Sequence, residues 1–108
     1  MNASPDRRLE PRRPSNSRGV VVAPGLEIAC VISDLSASGM RVRLERQLAL
    51  PARVMLVDVA EGLAYECDVA WKKGNEAGLK RLSQSSLRGL APSRLLPARE
   101  AWIRAGGR

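Results

Sequence analysis

From Val20 onward the chain alternates apolar and polar residues in short blocks. In "LEIACVIS", Leu26, Ile28, Cys30 and Ile32 alternate with Glu27, Ala29, Val31 and Ser33, the period-two signature of a half-buried strand. "MRVRL" repeats the pattern, with Met40, Val42 and Leu44 inward and Arg41 and Arg43 outward. "ARVMLVDV" follows Pro51 and reads as a further strand. "AYECDVAWK" puts Tyr65, Cys67, Val69 and Trp71 on one face, with Glu66, Asp68 and Lys72 largely on the other. Strict alternation therefore places Trp71 inward. "AGLKRL", after Gly74 and Asn75, is a short last strand. Short turns rich in Gly, Pro, Asn and Asp separate these blocks, which predicts an antiparallel sheet curled closed into a small barrel.

Both ends depart from this pattern. Residues 1–18 combine Pro5, Pro11 and Pro14 with Ser, Asn and Arg and almost no apolar content, which predicts an extended or disordered arm. Beyond Ser83 the period loosens. Ser83–Leu90 reads as a capped helix packing Leu87 and Leu90 on the barrel, and Pro97 opens a second short helix through Trp102. The expected division is an arm over 1–18, a barrel over 19–82, and a helical or irregular tail over 83–108.

Composition narrows the picture. A chain of 108 residues with 44% apolar content suits one domain with a modest core. Phe is absent, and Trp71, Trp102 and Tyr65 are the only aromatics, so the core must be largely aliphatic. No apolar run approaches the ~20 residues of a membrane span, so no membrane insertion is expected. No apolar stretch follows the first arginines, so no signal peptide is expected either. Cys30 and Cys67 lack close spacing and there is no His, so no metal site is expected. The two cysteines read as buried free thiols in a reducing, cytoplasmic compartment.

The net charge of +7 implies an anionic partner. Positive charge gathers at both ends. Arg7, Arg8, Arg12, Arg13 and Arg18 face only Asp6 and Glu10 in the arm, and Glu100 is the one acid after residue 80. A small basic barrel that binds nucleic acid is compatible with this charge, but three aromatics offer little stacking platform for single strands. Nucleic acid is therefore the weaker reading. No enzyme is expected: without His a Ser–His–Asp set is impossible, and neither a G-x-G-x-x-G nor a Walker-type loop is present.

Two short stretches carry the remaining information. "RLEPR" places Arg8 and Arg12 four apart, with a proline before the second and another arginine, Arg7, before the first. Fixed spacing suits clamping of a planar anion. "DLSASG", Asp34 to Gly39, joins two expected strands and taken alone reads as a hairpin turn. Together, in this order and separation, R-x-x-x-R and D-x-S-x-x-G resemble the PilZ domain family. The "VAW" of Val69–Trp71 and the glycine Gly78 opening the last strand are similar to the family as well. The resemblance runs from about Arg7 to Leu82.

The resemblance implies an all-β fold, a six-stranded antiparallel PilZ-type barrel with a short C-terminal helix and a basic N-terminal arm. It implies a bacterial, cytoplasmic receptor for cyclic di-GMP, which is a ligand and not a cofactor. Arg8 and Arg12 become the clamp, since an arginine fork can pair with a guanine O6/N7 edge or a phosphate, or stack on the purine. Arg7 is an auxiliary contact. Asp34 accepts from guanine N–H groups or braces an arginine, Ser36 supplies a hydroxyl and backbone groups, and Gly39 leaves room for a base. Trp71 matches a family position near the ligand, against the inward face that alternation gives it. Lys80 and Arg81 fall near the site edge but read as a solvated strand face. In the family an arginine just before R-x-x-x-R goes with a stacked pair of ligands, so Arg7 implies two cyclic di-GMP per chain. With no output domain of its own, the chain is expected to act on an unidentified protein partner. The rival within the family is an adaptor that contacts proteins without nucleotide.

Overall fold

The computed structural model describes residues 16–108. Six strands, β1 (Ser17–Ala23), β2 (Leu26–Leu35), β3 (Gly39–Leu44), β4 (Arg53–Asp58), β5 (Leu63–Lys73) and β6 (Glu76–Ser86), are followed by a 3-10 turn at Ser93–Leu95 and helix α1 (Leu96–Arg104). All neighbours pair antiparallel and the sheet closes in the order β1-β2-β3-β6-β5-β4. Closure removes the free edges that an open sheet of these strands would expose.

The alternating residues meet inside. Val21, Ile28, Cys30, Ile32, Val42, Leu44, Val54, Leu56, Cys67 and Leu79 belong to one buried cluster within the barrel. A second cluster lies outside it, where α1 covers β1 and β4. There Val20, Val22, Val57 and Val59 meet Leu87, Ala98, Ala101 and Trp102. Two faces of β1 and β4 are thus buried, which explains why "VVV" and "VMLV" run apolar without alternating. The Trp102 indole N–H donates to the Val59 carbonyl at 2.9 Å, so the one polar atom of this buried ring is satisfied. Arg104 clamps the helix end to Glu27 of β2 through both carboxylate oxygens, at 3.0 and 2.5 Å. That contact holds the Glu27 carboxyl below its ordinary range.

The two thiols are free and buried. Burial pushes each up to about 12, because the barrel interior disfavours a thiolate. Among the described residues no helix is long and apolar enough to cross a membrane.

Three expectations need correction. β1 begins at Ser17, inside the stretch read as arm. Ser83–Leu90 is not a helix: β6 continues to Ser86, its last residues pairing with Leu63–Glu66 of β5. The polar "SQSS" has weak strand preference, but the β5 ladder supplies its backbone partners, and tertiary pairing overrides propensity. Leu87 is buried as expected, but under α1 and not from a helix of its own, whereas Leu90 is fully exposed. The "DLSASG" turn is also tighter than read, since Asp34 and Leu35 end β2 and Gly39 starts β3. Pro97 does sit in the first turn of the C-terminal helix, where its missing N–H costs nothing.

Candidate ligand site

Four strands carry the site, and two bulges create it. Across β2, β3, β6 and β5, Asp34 pairs with Arg41, Arg41 with Gly78, and Gly78 with Trp71. Arg41 and Gly78 sit between inward neighbours (Met40 and Val42, Ala77 and Leu79), so the row lies on the outer surface. The register of β2 shifts between Ile32 and Asp34, leaving Ser33 as the extra residue. Without it Asp34 would follow Ile32 into the core. The register of β5 shifts likewise between Val69 and Trp71 at Ala70. Without that shift Trp71 would follow Val69 inward. Each bulge re-aims one side chain from core to surface.

Trp71 is accordingly 44% exposed, which corrects its expected inward placement. Its indole lies flat against Gly78: a Cβ built there would stand 2.1 Å from the indole nitrogen. Gly78 is thus the floor that lets the ring settle on the sheet. Gly39 is a glycine for another reason. A Cβ there would come within 2.6 Å of the Leu79 carbonyl oxygen on β6, so its first role is close strand approach, beneath any room it leaves for a base.

The connecting turn is held from both sides. The Ser36 backbone N–H and hydroxyl both donate to the Gly39 carbonyl, at 2.9 and 3.2 Å. The Arg81 N–H donates to the Ser38 carbonyl at 2.9 Å, tying the turn to β6. The Ser33 hydroxyl donates to the Arg41 carbonyl at 3.3 Å, stitching the first bulge to β3. The result is a surface depression of about 160 Å³ lined by Asp34, Ser36, Gly39, Met40, Arg41, Trp71 and Gly78. Its charged side chains are one carboxylate and one guanidinium, and an indole forms most of its apolar wall beside Met40: equipment for a planar, polar-edged ligand.

The structure therefore gathers Asp34, Ser36, Gly39 and Trp71. Arg7, Arg8 and Arg12 lie outside the described residues. Lys80 is exposed, as a solvated strand face requires. Arg81 is not: it is half-buried, its guanidinium 4.6 Å from the centre of the buried Tyr65 ring, with Nε buried and without a hydrogen-bond partner. Arg41, which also lines the depression, was passed over because outward arginines on an alternating strand read as solubilising charge. The signal was its place two residues after Gly39.

The model of the PilZ domain matches residues 6–91. The chain belongs to the PilZ family. The matched stretch contains both motifs, R-x-x-x-R and D-x-S-x-x-G, and the whole barrel. The PilZ family is a family of receptors for cyclic di-GMP, which they bind as a ligand and not as a cofactor. Among curated proteins none matches the chain. No cluster of metal-ligating side chains occurs among the described residues of this PilZ domain.

Proposed function

We propose that this PilZ domain binds cyclic di-GMP in the depression between Asp34 and Trp71, with Arg7, Arg8 and Arg12 closing over the ligand. The observation that carries the reading is the convergence of Asp34, Ser36, Gly39 and Trp71 on one outer face through two bulges. Reach supports it as well. Ser17 pairs with Ile32, two residues before Asp34, so the arm joins the barrel beside the site. Arg12 is five residues earlier, a span of up to ~17 Å for an extended chain, enough to cross the depression.

Each group then has a task. Arg8 and Arg12 pair bidentately with guanine edges or phosphates. Asp34 accepts from guanine N–H groups, Ser36 offers its hydroxyl and turn backbone, and the Trp71 indole stacks on a base. Arg7 offsets the repulsion of four phosphates in a stacked pair of ligands, giving two cyclic di-GMP per chain. Binding orders the arm against the barrel, and the altered surface changes contacts with a protein partner.

The arm substitutions test this assignment. Arg8→Ala and Arg12→Ala are each expected to cost ~2 kcal/mol, about thirtyfold in Kd, with the Tm of the free protein unchanged. If either substitution unfolds the ligand-free domain, the arm is structural; if neither weakens binding, the clamp is wrongly assigned.

A further inference from the structure

We infer that Arg41 reads the O6/N7 edge of a guanine whose N–H edge is held by Asp34. The inference rests on the proposed function and adds to it a base-reading residue that neither motif contains.

The two residues are direct cross-strand partners, one on β2 and one on β3, and both line the same depression. Paired residues on adjacent strands stand ~5 Å apart at their Cβ atoms, so a carboxylate and a guanidinium rise side by side from the sheet. Guanine carries a matching pair of edges. Its N1–H and N2–H donate, and its adjoining O6 and N7 accept. A carboxylate accepts from the first pair, and an arginine fork donates to the second. Adenine presents an N6 amine where guanine has O6, so the fork would meet a donor instead of an acceptor.

The surroundings fix the Arg41 backbone in place. The Ser33 hydroxyl holds the Arg41 carbonyl across the bulge, and Met40 and Val42 on either side anchor β3 in the core. The Arg41 side chain is exposed, so it can meet a ligand without disturbing that core. On its other side Gly78 adds no side chain, and the Trp71 indole lies beyond as a face for the same or a neighbouring base. The row thus runs acceptor, donor, floor, stacking surface across four strands.

The test crosses Arg41→Leu with a 7-deazaguanine analogue of cyclic di-GMP, which lacks N7. Binding of both ligands to both proteins is measured by calorimetry, and circular dichroism checks folding. Arg41→Leu is expected to weaken cyclic di-GMP about tenfold, but the 7-deaza ligand less than about threefold, because a contact already removed cannot be lost twice. Arg41→Lys, which keeps the charge without the fork, is expected to recover less than half of the loss in log Kd. Equal losses for the two ligands would make Arg41 a general phosphate or charge contact and overturn the assignment. So would an Arg41→Leu protein that binds cyclic di-GMP like the unmodified one. If the unmodified protein binds neither ligand, the failure belongs to the proposed function itself.

Discussion

Gly78→Ala should uncouple ligand binding from barrel stability. The new methyl group would stand 2.1, 2.5 and 2.7 Å from three atoms of the Trp71 indole. Carbon contacts settle near 3.5–4.0 Å, so the ring must retreat by more than ~1 Å. It can do so, because Trp71 is already 44% exposed and swings toward solvent without moving the core. Re-exposing part of the ring costs about 1 kcal/mol at ~25 cal/mol per Å². Replacing glycine at an ordinary strand position returns ~0.4–1 kcal/mol through the unfolded chain. The Tm should therefore move by less than about 6 °C. Binding should suffer more, since stacking a base on an aromatic ring is worth ~1–3 kcal/mol. That predicts a Kd for cyclic di-GMP raised roughly 5- to 150-fold in calorimetry. Trp71→Ala should give a similar loss, and the double variant little more, because both remove one interaction. Unchanged binding by Gly78→Ala would show that the indole on its glycine floor is not part of the site. A Tm drop beyond ~10 °C would show that Gly78 serves packing first.

Three further outcomes follow from the same geometry. Gly39→Ala meets the Leu79 carbonyl and not a mobile side chain, so it should lower the Tm as well as binding, which thermal melts read directly. Leu87→Ala empties a fully buried position under α1 and should cost ~2–4 kcal/mol in urea unfolding, while Leu90→Ala, fully exposed, should stay within about 0.5 kcal/mol. The thiols of Cys30 and Cys67 are raised from 9.0 to about 12, so below pH 9 both folded and unfolded chains keep these protons. Above pH 9 the unfolded chain releases them first, and stability should fall progressively toward pH 12, a slope that replacing both cysteines by alanine should reduce in urea melts.

The barrel was legible because one-sided burial writes itself as alternation, clearest in Leu26–Ile32 and Met40–Leu44. Where both faces are buried, as in Val20–Val22 and Val54–Val57, alternation vanishes and only an apolar run remains. The tail of β6 was misread because Ser83–Ser86 carries helix-start residues, and its strand state comes from pairing with β5. The candidate site was legible as a motif, D-x-S-x-x-G, and not through its geometry. Alternation sent Trp71 inward because a bulge adds one residue without a mark of its own: Ala70 and Ser33 look like any strand residue. Arg41 was passed over for a different reason, because an outward arginine on an alternating strand reads as solubilising charge. Its outward direction was read correctly, but only the register shows that Asp34 and Gly78 flank it.

The most direct measurement is a calorimetric titration of the unmodified protein with cyclic di-GMP, with GMP and GTP as controls. The expected result is a Kd in the micromolar range or tighter, about −8 kcal/mol or better, two ligands per chain, and no comparable heat from either control. A flat titration at ~100 µM protein whose circular dichroism shows a folded barrel would contradict it and leave a PilZ domain that works through protein contacts alone.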